Sequence, residues 1–248
     1  MMSEKYDASE YDKGRREDFT FWIKESSRIA GLNQNSKILD LGCGTGNYAL
    51  EFRRNWSSNS ICGLDPDSQM ISQARAKDAD KSIDWCLGVG ENFPFHSQSF
   101  DCIFASQVWH HIKDRWRAAA ECFRVLKKEA PLIIRTLSHE QWKQKTVTQL
   151  FPEVLQVELI RYPSDKNFEE YFHKAGFNNV EFRRYEIEMY TSPDEYIEAA
   201  RKKLWSMFWH LSEEAIDRGV SKLLEYKHMN PDKLIRNDEL ITLVVAWK

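Results

Sequence analysis

No apolar run in the 248-residue chain approaches the ~20 residues that a membrane-spanning helix requires. Its 35 basic and 38 acidic side chains, net charge −3, include no block of lysine and arginine. That lack argues against an extended nucleic-acid groove, where phosphate contacts need clustered basic groups. Met1 to Asp18 is charged and has no apolar core of a secretory signal, so a cytoplasmic location is expected. The five cysteines, Cys43, Cys62, Cys86, Cys102 and Cys122, are odd in number and form no C-x-x-C pair. Four of them sit in or beside apolar strands, so free, buried thiols are expected, with neither a metal site nor a cysteine nucleophile. Internal repeats, low-complexity stretches and a Ser-His-Asp order are also missing.

What the chain does have is concentrated in Ile38-Leu39-Asp40-Leu41-Gly42-Cys43-Gly44-Thr45-Gly46-Asn47. The run Lys37 to Leu41 predicts a buried parallel strand. Gly42, Gly44 and Gly46 then predict a turn whose backbone can approach a ligand closely, because no Cβ intervenes. Tyr48, Ala49, Phe52 and Trp56 carry a helical spacing behind it. A helix N-terminus beside such a turn presents free N–H groups to a polar ligand. The unit is therefore a nucleotide-type cofactor site.

Two cofactors compete at this point. A nicotinamide site usually shows G-x-G-x-x-G with an acid about 20 residues later. Here the glycines alternate and Asp40 lies inside the motif, giving D-x-G-x-G-x-G. This resembles motif I of the class I S-adenosylmethionine-dependent methyltransferases. Ser60 to Asp65 predicts a second strand ending in an acid, and Asp65 is placed to accept hydrogen bonds from two ribose hydroxyls. Pro66 to Lys77 predicts a helix with Met70, Ile71 and Ala74 on one face, and Ile83 to Leu87 a third strand. Gly88-Val89-Gly90-Glu91-Asn92-Phe93-Pro94-Phe95 follows, then Ser99-Phe100-Asp101 leading through an apolar strand to Trp109-His110-His111. In order, these are similar to landmarks of the small-molecule methyltransferases that include ubiquinone and menaquinone biosynthesis enzymes. That group shows G-D-A-E-x-L-P-F after strand 3 and F-D with L-H-H near strand 4. The ordered motifs cover Tyr11 to Arg135.

The resemblance implies an α/β, Rossmann-like, doubly wound seven-stranded sheet in the order 3-2-1-4-5-7-6. Its last strand is antiparallel, and a helical insert separates the last two. It also implies S-adenosyl-L-methionine as cofactor and direct in-line methyl transfer to an O, N or C atom of a small, partly apolar molecule. Gly42, Cys43, Gly44 and Gly46 would pack against the methionine and ribose portions, and Asp40 would face the methionine ammonium. Pro66 and Met70 follow the ribose acid. Ser106 and Gln107 would hold the methionine portion from across the switch point. Tyr11 and Arg15 match a Y-D-x-x-R segment whose arginine meets the methionine carboxylate. The acid expected near the adenine amino group is Val89 here, leaving Gly90 or Glu91 for that contact. His110 is placed to take a proton from the acceptor; the bland alternative is a loop brace, which is also the expectation for His111.

The expected organisation is a single methyltransferase domain over 1–248. Residues 1–36 form an N-terminal helical cap, and inserts at 138–164 and 192–237 cover the substrate site. Asp114 to Lys127 predicts a helix with Trp116, Ala120, Phe123 and Leu126 as its apolar stripe, and Ala130 to Arg135 strand 5. Phe168 to Ala175 predicts a helix stopped by Gly176. Val180 to Tyr190 and Leu240 to Trp247 predict strands. The second insert predicts two helices, the first over Pro193 to Leu211, capped by Ser192. Trp205, Phe208 and Trp209 make that helix either a core-facing element or a lid over an apolar substrate. Two other function classes stand beside the methyltransferase: a dinucleotide-dependent oxidoreductase, and a cofactor-binding protein without catalysis. Oligomeric state is not legible.

Overall fold

The computed structural model describes Asp12, residues 18–56 and residues 60–248. The first half of the chain, in order, forms α1 (Phe19–Ala30), β1 (Lys37–Leu41), α2 (Asn47–Asn55), β2 (Ser60–Asp65), α3 (Ser68–Lys77), β3 (Asp84–Leu87), β4 (Cys102–Ser106), α4 (Arg115–Val125) and β5 (Pro131–Thr136). Then follow α5 (His139–Gln144), α6 (Thr146–Leu150), α7 (Glu153–Arg161), α8 (Asp165–Ala175), β6 (Asn179–Ile187), β7 (Tyr190–Thr191), α9 (Pro193–Arg201), α10 (Glu213–Met229), β8 (Ile235–Arg236) and β9 (Glu239–Trp247). Two compact units result. One holds the described residues up to Thr136 with Asn167–Arg183 and Leu243–Lys248; the other holds Leu137–Lys166 and Arg184–Thr242. No helix among the described residues is long and apolar enough to cross a membrane.

The sheet runs β3-β2-β1-β4-β5-β9-β6, with β9 antiparallel in the seventh-strand position, as the resemblance implies. β1 pairs in parallel with β2, from Lys37↔Ser60 to Leu41↔Leu64. It also pairs with β4, from Ile38↔Cys102 to Asp40↔Phe104. The strand order reverses at β1, so the crevice beyond its carboxyl end is the place where such sheets hold ligands. β1, β4 and β5 are buried along nearly their whole length, which is why they appear as continuous apolar runs rather than alternating ones. Leu39, Leu41, Leu64, Ile103, Ala105 and Ile134 join Trp109, Phe168 and Phe172 in one core.

Two expectations shift here. The α3 helix begins at Ser68, not Pro66, because the Asp67 carboxylate caps it by accepting from Gln69 N. The α4 helix buries Ala118, Ala119, Cys122 and Val125; of the expected stripe, Leu126 is buried just past its end and Phe123 packs against the same core. Trp116 and Ala120 face outward. Trp116 packs edge-on against Tyr171 at 4.7 Å, under the Lys174 ammonium.

The second unit gathers both expected inserts around one core of its own. Trp142, Val147, Phe151 and Val154 from the first meet Tyr196, Ala200, Phe208, Ile216, Val220 and Leu223 from the second. The helix expected over Pro193 to Leu211 stops at Arg201. Its start is as expected, with a capping box between Ser192 and Glu195 and Pro193 in the first turn. Its end is set by Lys203 in the left-handed region (φ 50°), with Lys203 N donating to Ala200 O and Leu204 N to Ala199 O. A short 3-10 turn, Ser206–His210, follows. This break carries Trp205 onto Tyr196, with centroids 5.1 Å apart, and stacks it on Phe208 at 5.6 Å. Leu204, at the break, is exposed. Phe208 and Trp205, two of the residues that suggested a lid, pack within this unit. The second helix of the insert, α10, lies close against Phe151: a Cβ added to Gly219 would sit 2.0 Å from Phe151 Cε1.

Candidate functional site

The glycine turn is held by β2. Gly42 N and Cys43 N both donate to Leu64 O, at 2.7 and 3.1 Å, and Gly46 N donates to Cys43 O at 2.9 Å. Gly42, Gly44 and Gly46 have φ of 68°, 53° and 84°, which side chains adopt only at a cost. Two of these glycines also answer to the protein itself. A Cβ on Gly42 would lie 2.1 Å from Val108 Cγ2, and one on Gly46 would lie 2.5 Å from the Trp85 ring. The turn is thus packed against the loop after β4 on one side and against β3 on the other.

Asp65, at the end of β2, is 8% exposed. One carboxylate oxygen accepts from Gly44 N at 2.9 Å and the other from Asp67 N at 2.9 Å. Burial raises its pKa, while these two N–H groups pull it back. Each oxygen keeps a lone pair, so the acid is aimed and can still accept from a diol. Asp40 is 1% exposed, and its Oδ2 accepts from Ala49 N at 3.1 Å, inside the first turn of α2. Burial raises its pKa to about 7, the Ala49 N–H lowers it, and the Asp65 charge adds to the rise. Asp40, Gly42, Cys43, Gly44 and Ser106 line one small cleft together with Phe19 and Tyr48, whose rings meet at 4.9 Å. The turn, an acid with both oxygens oriented, and a second, buried acid fit a cofactor carrying a ribose and an amino-acid tail.

Residues 39–134 match the family described as Methyltransferase domain. Over this stretch the chain is similar to methyltransferases, as its ordered motifs are. The demethylmenaquinone methyltransferase of Thermotoga maritima is 34% identical over 129 residues, covering 51% of this chain and 55% of that protein. The chain thus matches about half of that relative's length. The demethylmenaquinone methyltransferase of Lactococcus lactis subsp. lactis is 28% identical over 205 residues, 72% of this chain and 81% of that protein. Among solved structures, a methyltransferase from an antibiotic biosynthesis pathway of Anabaena variabilis superposes with a TM-score of 0.76 at 16% identity, covering 91% of this chain and 96% of that one. A Haemonchus contortus phosphoethanolamine N-methyltransferase, solved with phosphomonomethylethanolamine and S-adenosylhomocysteine, gives 0.60 at 20% identity, covering 97% and 56%. At these identities the structures speak for the fold alone.

The remaining expected site residues separate into groups. Met70 is buried on α3, and Pro66 is exposed at the end of β2. Glu91 Oε1 accepts from Lys113 N and Asp114 N and holds the entry to α4. Gly90 packs beside Ile112, whose Cδ1 would lie 3.2 Å from an added Cβ. Tyr11 and Arg15 lie outside the described residues. His110 sits in a single 3-10 turn, Trp109–His111. It is 7% exposed, its ring 4.0 Å from that of His111. Arg115 donates to Trp109 O and His110 O from below this turn, at 3.3 and 3.4 Å. Ser106 Oγ accepts from Arg135 Nη1 at 3.3 Å. The Arg135 guanidinium, on a 2% exposed residue, lies 4.9 Å from the Trp22 ring centroid.

Three features escaped sequence reasoning. Gln107 is left-handed (φ 53°), and its N–H donates to Arg135 O at 2.8 Å. A non-glycine residue held in that region directly after β4 marks a constrained backbone at the crevice. Asp12 accepts from Thr45 Oγ1 at 2.7 Å, Asn47 Nδ2 at 2.8 Å and Lys77 Nζ at 2.8 Å. It thereby ties the chain ahead of α1 to the glycine turn and α3. The signal for it was present, since Asp12 sits inside the Tyr11 to Arg15 segment that was weighed only for its tyrosine and arginine. Arg135 gave no signal, being one charge at the end of an apolar strand.

Proposed function

We propose that the chain methylates a small, partly apolar molecule, and that a demethylated quinol is the first acceptor to test. The observation that carries this is the oriented Asp65 carboxylate against the left-handed Gly44 amide, at the crevice of a methyltransferase domain. The acceptor class follows the similarity to demethylmenaquinone methyltransferases. When bound, S-adenosylmethionine supplies an electrophilic methyl group whose sulfonium is itself the activation. The protein has to align and to exclude water rather than supply a covalent nucleophile. Asp65 holds the ribose diol, and the backbone of Gly42 to Gly44 lies along the ribose and methionine portions. Asp40 faces the ammonium, while Ser106 and Gln107 hold the tail from β4. His110 takes the proton released by an O or N acceptor, or by a ring hydroxyl that activates a neighbouring carbon. The test is incubation with S-adenosylmethionine and a reduced demethylmenaquinone analogue, read by product mass. Binding of a nicotinamide dinucleotide with no measurable binding of S-adenosylhomocysteine would overturn the whole assignment.

Asp40 provides a pH test. Its folded pKa of about 7 lies above the roughly 3.9 of a free aspartate. Its contribution to apo stability is therefore complete below about pH 4 and lost as pH rises through 7. Asp40→Asn keeps an acceptor for Ala49 N and cannot ionise, so its Tm relative to wild type should rise between pH 5 and pH 8. A cationic ammonium beside Asp40 favours the ionised form. Affinity for S-adenosylhomocysteine should then increase from pH 6 to 8 in wild type and stay flat in Asp40→Asn. An equal pH response in both proteins would leave Asp40 as a helix tether only.

His110→Ala separates a base from a brace. As a base the histidine contributes about 10²- to 10⁴-fold to kcat with little change in cofactor affinity. A fall of less than about threefold from pH 6 to 9 would assign it to holding the loop together with Arg115.

A further inference from the structure

Cys62 and Cys86 stand on neighbouring parallel strands, their Sγ atoms 3.6 Å apart. The register pairs Cys62 with Asp84 and Leu64 with Cys86. Side chains alternate along a strand, so Cys62, Asp84 and Cys86 project from the face opposite Gly63 and Trp85. The latter face packs on the glycine turn: a Cβ on Gly63 would meet the Trp85 ring at 2.6 Å and Cys43 Sγ at 2.9 Å. The two thiols open into a cavity of about 320 Å³, lined also by Lys37, Asp84, Trp85, Phe95 and Phe100. All five cysteines are free thiols, and no other described pair of sulfurs is drawn together in this way.

We propose that Cys62 and Cys86 form a chelating dithiol site for one soft, thiophilic d10 cation. The spacing selects this ligand. Two metal–sulfur bonds of about 2.3 Å at a tetrahedral angle place the sulfurs about 3.8 Å apart, close to the 3.6 Å found. A disulfide, at about 2.05 Å, would need the sulfurs to close by about 1.5 Å across strands fixed by their ladder. Binding proceeds as M²⁺ + 2 RSH → M(SR)₂ + 2 H⁺, so the complex is neutral within the cavity. Among the described residues no three His, Cys, Asp or Glu side chains are arranged around one ion. The site therefore offers two protein ligands, with water completing the shell. Such a set favours ions that value thiolate over oxygen. Asp65 projects from the opposite face of β2 to Cys62, toward the glycine turn whose Gly44 N it accepts from, which keeps the ribose acid off the dithiol face.

The experiment titrates reduced full-length protein with Cd²⁺, read by thiolate-to-cadmium ultraviolet absorption and by native mass. Wild type is expected to take up one equivalent. Cys86→Ser, at the half-buried position, should lose the absorption band while keeping its melting curve, and Cys122→Ala should retain the band. Cadmium should also protect Cys62 and Cys86 together from alkylation, located by peptide mass, which tests Cys62 without a core substitution. No one-equivalent band in wild type, a band unchanged in Cys86→Ser, or protection of other cysteines would each overturn the site. A Cys62–Cys86 disulfide formed on peroxide treatment, in protein that takes up no cadmium when reduced, would overturn it in favour of a redox pair. Affinity for S-adenosylhomocysteine, measured with and without Cd²⁺, should not change. Its loss in every sample would count against the cofactor site and not against the dithiol.

Discussion

Asp65→Ala is expected to weaken S-adenosylhomocysteine binding by about 10- to 150-fold, the equivalent of roughly 1.5–3 kcal/mol for hydrogen bonds to a charged group. Both carboxylate oxygens already accept a backbone N–H, from Gly44 and Asp67. The acid is therefore fixed before the ligand arrives, and little ordering is left to oppose its contact with the ribose. The same bonds mean that alanine also frees two amides, one of them in the glycine turn. Asp65→Asn separates the effects. It keeps one acceptor for the turn and replaces the other by a donor, so the turn should persist while the paired ribose contact is lost. Calorimetry on both variants, with melting curves alongside, is the measurement. Wild-type affinity in a folded Asp65→Ala protein would remove Asp65 from the cofactor site.

Phe208→Ala is expected to cost about 3–5 kcal/mol, the range for deleting a buried aromatic ring. Phe208 is fully buried, meets Phe151 edge-on at 5.0 Å and stacks under Trp205. These rings hold the two inserted segments to one another. The loss should therefore appear as an early thermal transition of the helical unit. The chain has two compact units, so a single two-state fit is not assumed, and calorimetry should resolve the shifted component. Trp205→Ala should act in the same direction and less strongly, since its ring is only partly buried. An unshifted transition in Phe208→Ala would mean that the inserts are not joined through this cluster.

Several parts of the site were legible for simple reasons. A strand buried on both faces is a continuous apolar run, so β1, β2, β4 and β5 announced themselves within a residue or two. Alternating glycines announced a left-handed turn, and all three have positive φ. The side of α4 that faces the core was legible only in part: Phe123 and Leu126 reach it, while Trp116, equally apolar, is exposed and packs on Tyr171. Glu91 was weighed as an adenine contact because it follows Gly90. Its commitment to Lys113 N and Asp114 N needed the fold to bring a loop 22 residues away beside it.

The sequence by itself determined the order of strands and helices, the glycine turn and the identity of the two acids. Each of these rests on neighbours in the chain: local periodicity, backbone conformations open only to glycine, and acids at strand ends. The tertiary structure decided what depends on distant segments meeting. It joined two inserts into one helical core, used Trp205 and Phe208 within it, and fitted Gly42 against Val108 and Gly46 against Trp85. It also buried Asp40 deeply enough to move its proton affinity toward neutrality, and set Cys62 and Cys86 3.6 Å apart from positions separated by 24 residues. Burial and distance across the sheet are properties of packing, and no short stretch of sequence carries them.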